Sequence, residues 1–321
     1  MSFSSLVVGL GQIGMGYDLH LDPTGHILTH ARAFSQHPGF RLLAGVDPVA
    51  GQRQIFEQAY QRPAYADVSA ALRSYQPDIV VIASPTGLHG ETLTRVLEQA
   101  RPRVVLCEKP LSYDLGEART MVQACSAMNV DLYVNYMRRS DLGVIEVKRR
   151  LESGEIGTPV KGVAWYSKGF QHNGSHFFNL LEYWLGSMAK SEVLDRGRLW
   201  EDIDPEMDVR VTFADGTIVF LASREDAFSH YAVELLATNG RLAYEQGGRR
   251  ILWQAVCPDP FLQRHTALTD QAENIDHGMD RYQWHVADEL ARALDGLDAH
   301  LCSGEDALRT LSAMKQILEQ A

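Results

Sequence analysis

The sequence contains few of the features that mark secreted, metal-bound or membrane proteins. Its 321 residues include only four cysteines, none of which forms a CxxC pair. Such spacing indicates neither a disulfide framework nor a zinc ribbon, and it favours a reducing compartment. No apolar run approaches the roughly 20 residues that cross a bilayer, and the first residues lack a signal-peptide pattern. We therefore expect a cytoplasmic protein with no membrane partner.

Positive charge is also scarce. The chain has 30 lysines and arginines against 41 aspartates and glutamates, which gives a formal net charge of −11. A surface of this sign repels phosphate backbones, so we expect no nucleic-acid partner. Hydrophobic residues (45%) and charged residues (22%) occur at ordinary levels for a globular protein. The length predicts two domains.

The first part of the chain alternates short apolar runs with helix-like stretches. Strands are predicted at residues 6–9, 41–47, 78–84, 103–108 and 131–136. Helices are predicted at residues 27–36, 49–60, 68–75, 87–100 and 114–128. Continuous apolar strands separated by helices predict a parallel sheet that is covered on both faces.

The second part has strand-like runs with few helices between them. After a helix at 142–154, strands are predicted at residues 160–166, 209–213, 217–222, 233–237, 241–246 and 251–256. Asp215-Gly216 indicates a hairpin turn, and successive strands without crossover helices predict an antiparallel sheet. Two predicted helices, 282–294 and 305–320, close the chain and could pack back on the first domain.

A glycine motif directly follows the first predicted strand. Gly9, Gly11 and Gly14, with Gln12 and Ile13 between them, spell G-x-G-x-x-G. Glycines there permit a tight turn and a close approach of backbone N–H groups to a pyrophosphate. In this strand–helix context the motif predicts a dinucleotide site. The fold prediction is thus an α/β protein: a Rossmann doubly wound parallel sheet in residues 1–128, then an α+β domain in 129–321 with a large, mostly antiparallel open sheet.

Asp47 ends the second predicted strand, where a carboxylate can accept hydrogen bonds from ribose hydroxyls and would repel the 2′-phosphate of NADP. This favours NAD over NADP, although Arg53 nearby could receive a phosphate. Asp47 could alternatively cap the following helix. It lies farther from Gly14 than the usual interval of about 20 residues. We interpret residues 16–25 as an insertion that forms a lid, a subunit contact or a plain surface loop.

Three further motifs follow in order along the chain. They are Ser84-Pro85-Thr86-Gly87-Leu88-His89, Cys107-Glu108-Lys109-Pro110 and His172-Asn173-Gly174-Ser175-His176. Their order and spacing resemble the glucose-fructose oxidoreductase/inositol dehydrogenase/rhizopine-catabolism (Gfo/Idh/MocA) family over nearly the whole chain. The Glu-Lys-Pro element is the most specific part of this resemblance.

The resemblance implies roles for individual residues. Lys109 would point at the reacting hydroxyl and the nicotinamide, and His176 would be the general base. His172 stands where the family has an aspartate, and Asn179 stands where it has a second one, so both carboxylates of the proton relay are missing. The resemblance also assigns further residues to the cofactor (Ser84, Pro85, Thr86, His89, Glu108 and Asn135, together with Lys109) and to the substrate (Tyr136, Arg138, His172 and Asn173).

These residue types suit the oxidation of a secondary alcohol by NAD. A histidine with a pKa near 6.5 can accept the hydroxyl proton, and a lysine ammonium can stabilise the developing alkoxide. Structural roles stay open: Lys109 could be a surface lysine and His176 a buried helix-start residue. His172 and His176 could bind zinc, but no glutamate completes H-E-x-x-H, and we predict no metal.

The resemblance implies an NAD-dependent dehydrogenase acting on a sugar, nucleotide sugar or cyclitol. Two alternatives remain: an NAD-binding regulator without chemistry, and a glycosidase that oxidises its substrate transiently. The identity of the substrate cannot be read, and Lys161, Tyr166, Lys168, Gln171, His230 and Tyr282 are candidates for its pocket. The resemblance also implies a homodimer or homotetramer, built through the open face of the second sheet.

Overall fold

The computed structural model describes residues 2–320 and divides them into two compact units. The first unit comprises the residues up to 140 together with 280–309, and the second comprises 141–279 and the residues from 310 onward. The first unit thus extends past residue 128, because the last strand of the parallel sheet lies beyond that point. It also includes the first of the two C-terminal helices predicted to pack back.

The first unit is built on a parallel sheet with strand order β3-β2-β1-β4-β5-β6. Its strands are β1 (Phe3–Val8), β2 (Phe40–Val46), β3 (Ala64–Tyr65), β4 (Ile79–Ile82), β5 (Val104–Cys107) and β6 (Asp131–Val134). Its first helices are α1 (His30–Gln36), α2 (Ala50–Tyr60), α3 (Val68–Ser74), α4 (His89–Gln99) and α5 (Leu115–Ala127). All four residues of β4 are fully buried, as expected for a strand covered on both faces. The predicted doubly wound sheet is confirmed.

The second unit has a large sheet with one helix-covered face. In the described residues its order is β16-β15-β14-β13-β7-β12-β11-β8, and β17 pairs with β15. Its helices and first strands are α6 (Leu142–Glu152), β7 (Val160–Tyr166), α7 (Ser175–Leu185), β8 (Met188–Asp195), β9 (Leu199–Trp200), β10 (Asp204–Pro205), β11 (Asp208–Phe213) and β12 (Gly216–Ala222). The remaining strands of this unit are β13 (Ala232–Ala237), β14 (Gly240–Glu245), β15 (Arg250–Pro258), β16 (Thr266–Leu268) and β17 (Glu273–Ile275). The last two helices are α8 (Tyr282–Leu294), which belongs to the first unit, and α9 (Gly304–Leu318), whose residues from 310 onward belong to the second.

The pairing in this sheet is antiparallel except between β7 and β12, which run parallel. The predicted, mostly antiparallel sheet is therefore confirmed. The hairpin between β11 and β12 closes through Ala214 and Asp215, one residue before the predicted pair. Apolar residues of α6 and α7 cover the inner face and form one core with β7, β11, β12 and β13. Among the described residues, no helix combines the length and apolarity needed to cross a membrane.

Candidate active site

The glycine motif turns sharply from β1 into a short π-helical turn, Gln12–Gly16. Gly9 has φ +96°, and a Cβ on it would lie 2.5 Å from the backbone of Ala83. A Cβ on Gly14 would lie 2.0 Å from the carbonyl oxygen of Gly9. Both glycines are therefore required by the protein's own backbone. A Cβ on Gly11, in contrast, would meet no protein atom within 4 Å, which leaves room for a ligand at that position.

A cavity of about 740 Å³ opens beside this turn. Its lining includes the following predicted cofactor residues: Gly9, Gly11, Gln12, Ile13, Asp47, Ser84 and Pro85. They come from the carboxyl ends of three neighbouring strands, β1, β2 and β4, where open α/β sheets bind ligands. The open space at Gly11 and the backbone cradle around it fit a dinucleotide.

Asp47 is buried at the edge of this cavity and accepts two backbone hydrogen bonds. One carboxylate oxygen accepts from Leu10 N–H at 2.9 Å and the other from Val49 N–H at 2.8 Å. Arg53 does not line the cavity; its guanidinium donates to the carbonyl oxygens of Asp47 and Pro48, both at 2.8 Å. The Arg53 guanidinium, which could have received a 2′-phosphate, is therefore already hydrogen-bonded to backbone carbonyl oxygens.

The insertion after the glycine motif is tied down from inside by Asp18. This fully buried carboxylate accepts hydrogen bonds from Leu28 N–H (2.7 Å), Thr29 N–H (2.9 Å) and the Thr29 hydroxyl (2.8 Å). Arg32 Nε lies 3.4 Å from Oδ1, the same oxygen that accepts from the Thr29 hydroxyl. Tyr17, which immediately precedes Asp18, lines the dinucleotide cavity. The insertion is thus an ordered segment that contributes to the wall of this cavity.

The Ser84–His89 motif divides into two kinds of residue. Ser84 and Pro85 line the cavity, whereas Thr86 begins a short 3-10 turn and is absent from the lining. His89 is fully buried, and its ring nitrogens contact the carbonyl oxygens of Ser84 (2.9 Å) and Leu111 (3.1 Å). The His89 side chain therefore braces the backbone of the motif and does not line the cavity.

Glu108 and Asn135 meet at the ends of β5 and β6, beside the position of Lys109. Glu108 Oε1 accepts from Asn135 Nδ2 at 2.6 Å and lies 2.7 Å from His30 Nε2. Burial opposes ionisation of Glu108, but the contacts with His30 and Asn135 and the positive charge of Lys109 outweigh it, so its pKa lies below the ordinary value. The first unit therefore holds a partly buried carboxylate, with 13% of its side chain exposed, next to the predicted catalytic lysine.

Tyr136 and Arg138 follow β6 and are both buried, at 5% and 9% exposure. Arg138 lies close enough to Tyr282, at the start of α8, for its charge to act on that phenol. Burial and the charge of Glu108 raise the pKa of Tyr282 above its ordinary range. Tyr136 and Arg138, predicted to bind substrate, thus lie in the polar interior of the first unit.

In the second unit, a π-helical turn, Gly169–Gly174, carries His172 and leads into α7. The His172 ring stacks on Trp200, with centroids 4.9 Å apart and planes inclined by 24°. Asn173 Nδ2 donates to the Tyr231 hydroxyl at 2.9 Å. Both predicted substrate residues of this turn are therefore held by aromatic side chains of neighbouring elements.

Asp204 holds the backbone of the same turn. It is buried and accepts from Gln171 N–H at 3.0 Å and His172 N–H at 2.8 Å. Burial raises the pKa of Asp204 above its ordinary value, against the lowering effect of these N–H groups. A Cβ on Gly169 would lie 2.1 Å from an Asp204 oxygen, so only glycine fits there.

His176 is the second residue of α7 and is partly exposed. Asn179, one turn further, is buried, and its Nδ2 donates to the Thr310 hydroxyl at 3.0 Å. Thr310 in turn donates to Glu182 at 2.5 Å. Asn179, in place of the family aspartate, thus belongs to a buried hydrogen-bond chain within the second unit.

The other candidates for the substrate pocket separate by burial. Tyr166 is fully buried and its hydroxyl donates to the Met207 carbonyl at 2.7 Å, so it is a core residue. Lys168 lies 3.1 Å from Glu225, and Lys161 is exposed on β7. The residues described here contain no group of three or more His, Cys, Asp or Glu side chains that could hold a metal ion.

Several site residues lie outside every motif of the sequence analysis. They are Tyr17, His30, Trp200 and Asp204. His30, Trp200 and Asp204 contact motif residues that are distant in the sequence, and Tyr17 is carried by the insertion. The sequence does show a histidine in the helix predicted at 27–36, but it does not identify Glu108 as the partner of that histidine.

Comparisons with known proteins agree with this geometry. Residues 3–136 match the model of an oxidoreductase family with an NAD-binding Rossmann fold. The scyllo-inositol 2-dehydrogenase (NAD(+)) of Bacillus subtilis is 26% identical over 266 residues, which cover 74% of this chain and 72% of that protein.

Two solved structures extend the likeness over the whole fold. An oxidoreductase from Agrobacterium radiobacter in complex with NAD+, L-tartaric acid and magnesium has a TM-score of 0.75 at 18% identity, covering 100% of this chain and 96% of that one. The WlbA dehydrogenase from Bordetella pertussis, in complex with NADH and UDP-GlcNAcA, has a TM-score of 0.75 at 18% identity, covering 100% and 97%. Residues 3–136 therefore match the NAD-binding Rossmann fold of the Gfo/Idh/MocA oxidoreductase family, and the chain is an NAD-binding oxidoreductase.

Proposed function

We propose that the protein transfers a hydride between NAD and a secondary alcohol of a sugar, nucleotide sugar or cyclitol. The observation that carries the proposal is the cavity at the carboxyl edge of the parallel sheet, lined by Gly11 and Asp47. Lys109 follows directly on β5 at the same edge. The names of the B. subtilis and B. pertussis relatives support the substrate class.

In this proposal the chain's own residues position the alcohol and move its proton. The nicotinamide supplies the hydride acceptor when NAD is bound. Lys109 donates a hydrogen bond to the substrate oxygen and stabilises its developing negative charge. His176 accepts the hydroxyl proton close to neutral pH. His172, Asn173, Tyr136 and Arg138 contribute to substrate binding.

NADH formation from a panel of inositols, aldoses and UDP-sugars tests the proposal. The native protein is expected to reduce NAD with at least one of them, and Lys109→Ala to lose at least about 100-fold in kcat while still binding NAD. Lys190→Ala, which changes an exposed lysine of β8, is the matched control and should keep full activity.

Two further measurements, NAD binding and glycoside hydrolysis, separate the proposal from its alternatives. Binding of NAD without turnover across the whole panel would favour a regulator that has lost chemistry. Hydrolysis of a glycoside with bound NAD and no net NADH would favour a glycosidase that oxidises its substrate transiently. Full activity of Lys109→Ala would contradict the role proposed for that lysine.

A further inference from the structure

His30 is buried behind the Glu-Lys-Pro motif, on a different element. It is the first residue of α1, and its ring is 1% exposed. Its Nε2 lies 2.7 Å from Glu108 Oε1. The other ring nitrogen, Nδ1, is buried without a hydrogen-bond partner among the described residues. The contact with Glu108 is thus the polar interaction that accounts for a histidine at this buried position.

Glu108 is held from three sides. His30 and Asn135 both contact the same carboxylate oxygen, at 2.7 and 2.6 Å. The backbone N–H of Glu108 donates to the carbonyl oxygen of Ile82 on β4 at 2.8 Å. The donors and the positive charge around this largely desolvated carboxylate stabilise its anionic form.

Few charges face this carboxylate. Tyr282 and Cys107 are its titratable neighbours from α8 and β5, and burial raises the pKa of both above their ordinary values, so both are neutral near pH 7. Lys109 follows Glu108 in the chain, and its positive charge acts on the carboxylate. Coulomb interaction is mutual, so an ionised Glu108 also favours the charged form of Lys109.

The insertion fixes His30 in its place. Thr29 is the N-cap of α1, and its backbone N–H and hydroxyl both donate to the buried Asp18. The backbone at Ile27 is hydrogen-bonded to that of Asp280 and Gln283 within the same unit. The start of α1 is therefore anchored on both sides, which sets the distance between His30 and Glu108.

We propose that His30 is a positioning residue for Lys109. It keeps the Glu108 carboxylate ionised and fixed, and that carboxylate keeps the neighbouring lysine protonated and oriented for the alcohol oxygen. This inference rests on the proposed dehydrogenase function for its purpose, but the arrangement of charges can be measured without any substrate.

An NMR titration of the lysines tests the link directly. The chain has six lysines, so carbon-13 at their ε-carbons gives few signals, and Lys109→Arg identifies the signal of Lys109. Glu108→Gln is expected to lower the pKa of Lys109 by about one unit, the usual scale of losing an adjacent opposite charge. His30→Ala is expected to lower it in the same direction by less, because the carboxylate that loses its contact with His30 moves away from the lysine. His30→Gln, whose amide can still donate to Glu108, should stay near the native value.

Phe34→Leu is the matched control, because Phe34 lies on the same helix, is 1% exposed and carries no titratable group. It should leave the pKa of Lys109 unchanged. An unchanged Lys109 pKa in His30→Ala would overturn the proposal. If no member of the sugar panel reduces NAD, in contrast, the proposed reaction is contradicted, but the titration of Lys109 still tests the role of the His30–Glu108 pair.

A stability cycle checks the pair and covers the case in which His30→Ala folds poorly. Glu108→Gln removes the carboxylate that His30→Ala leaves buried without its partner. The double variant is therefore expected to regain thermal stability relative to His30→Ala alone. If the losses of thermal stability caused by His30→Ala and Glu108→Gln simply add in the double variant, His30 only fills space. Additive losses are the expected result when Glu108→Gln is combined with Phe34→Leu.

The sign of the pH dependence follows from the lowered pKa of Glu108. Its contribution to stability is fully present above the ordinary glutamate pKa of 4.5 and is lost as pH falls through the lower value of the folded state. The rescue by Glu108→Gln should therefore be large at pH 7 and shrink toward pH 4. A rescue of the same size at both pH values would contradict a charge-based role.

Discussion

Asp47 is the residue that we expect to select NAD over NADP. Both of its oxygens accept backbone hydrogen bonds, which fixes the carboxylate at the cavity edge. Asp47→Asn removes the charge that repels a 2′-phosphate, and it also puts an amide NH2 against one of the two backbone donors. We expect the Kd for NAD to rise about tenfold, which corresponds to a loss of about 1.4 kcal/mol in binding free energy. The ratio of the Kd for NADP to the Kd for NAD should fall.

Fluorescence titration with both reduced cofactors measures these two effects. Asp114→Asn, at the N-cap of α5 and outside the cavity lining, is the control and should change neither affinity, because asparagine caps helices as well as aspartate does. If Asp47→Asn leaves both the NAD affinity and the preference for NAD over NADP unchanged, Asp47 only accepts hydrogen bonds from the backbone and does not contact the cofactor.

At His172 the sequence differs from the aspartate of the Gfo/Idh/MocA family that it resembles. Its ring stacks on Trp200, a contact that fixes its direction. His172→Ala is expected to lower kcat/KM about tenfold, mostly through KM, because it removes a substrate contact and spares Lys109 and His176. His265→Ala, which removes an exposed histidine of the same unit, should have native kinetics.

Steady-state kinetics with the preferred sugar, together with NAD titration, measures the effect. A His172→Ala protein with native kcat/KM would remove His172 from the substrate site. A loss of NAD affinity would assign it to the cofactor.

Some residues of the site could be read from the sequence and others could not. Gly9 and Gly14 belong to a short motif whose chemistry is local, so their spacing after the first strand indicated them, whereas the role of Lys109 was implied by the family resemblance. His30 pairs with a glutamate 78 positions away, and no local pattern encodes such a contact. His89 belongs to a motif, yet its ring binds backbone, since sequence does not tell which side of a turn a side chain occupies.

At the scale of elements, the β9–β10 segment supports the turn that carries His172. The Asp204 carboxylate accepts hydrogen bonds from the backbone N–H groups of Gln171 and His172. Asp204→Asn puts an amide NH2 against one of those donors, so we expect a loss of about 1–3 kcal/mol in the free energy of unfolding. A lower kcat/KM should accompany it, because the turn loosens.

Urea unfolding and kinetics of the same samples check this expectation. Asp202→Asn is the matched control, because Asp202 is an exposed residue between the same strands and asparagine tolerates its positive φ of 60°. Equal stability of Asp204→Asn and the native protein would show that the turn needs no support from β10.

Strands with clear apolar patterns were predictable, and others were not. β1, β2, β4, β5 and β6 of the first sheet are apolar runs in a strand–helix alternation, and this pattern alone indicates a buried parallel sheet. β8 (Met188–Asp195) is mostly exposed at the edge of its sheet and has no apolar alternation. The parallel pairing of β7 and β12 was also missed, because partners distant in sequence leave no local signature.

At the scale of the whole molecule, we propose that the open face of the second sheet binds a second copy of the chain. Three strands of this sheet, β7, β13 and β15, carry exposed apolar side chains: Trp165, Leu236 and Val256. Large exposed apolar patches mark interaction surfaces. Leu236→Glu is expected to shift the protein toward monomers in analytical ultracentrifugation.

An exposed leucine on β9, Leu199, provides the control, since Leu199→Glu changes a similar side chain outside this sheet. It should leave the sedimentation profile unchanged. A native protein that sediments as a monomer at high concentration would contradict the proposed assembly.

The proposed reaction requires a hydride to pass directly from a carbon of the substrate to NAD. The direct measurement uses the panel member with the fastest turnover, deuterated at its carbons, and determines the mass of the NADH formed. We predict that each NADH carries one deuterium and that turnover slows on deuteration. Unlabelled NADH, or no NADH from any member of the panel, would contradict the account.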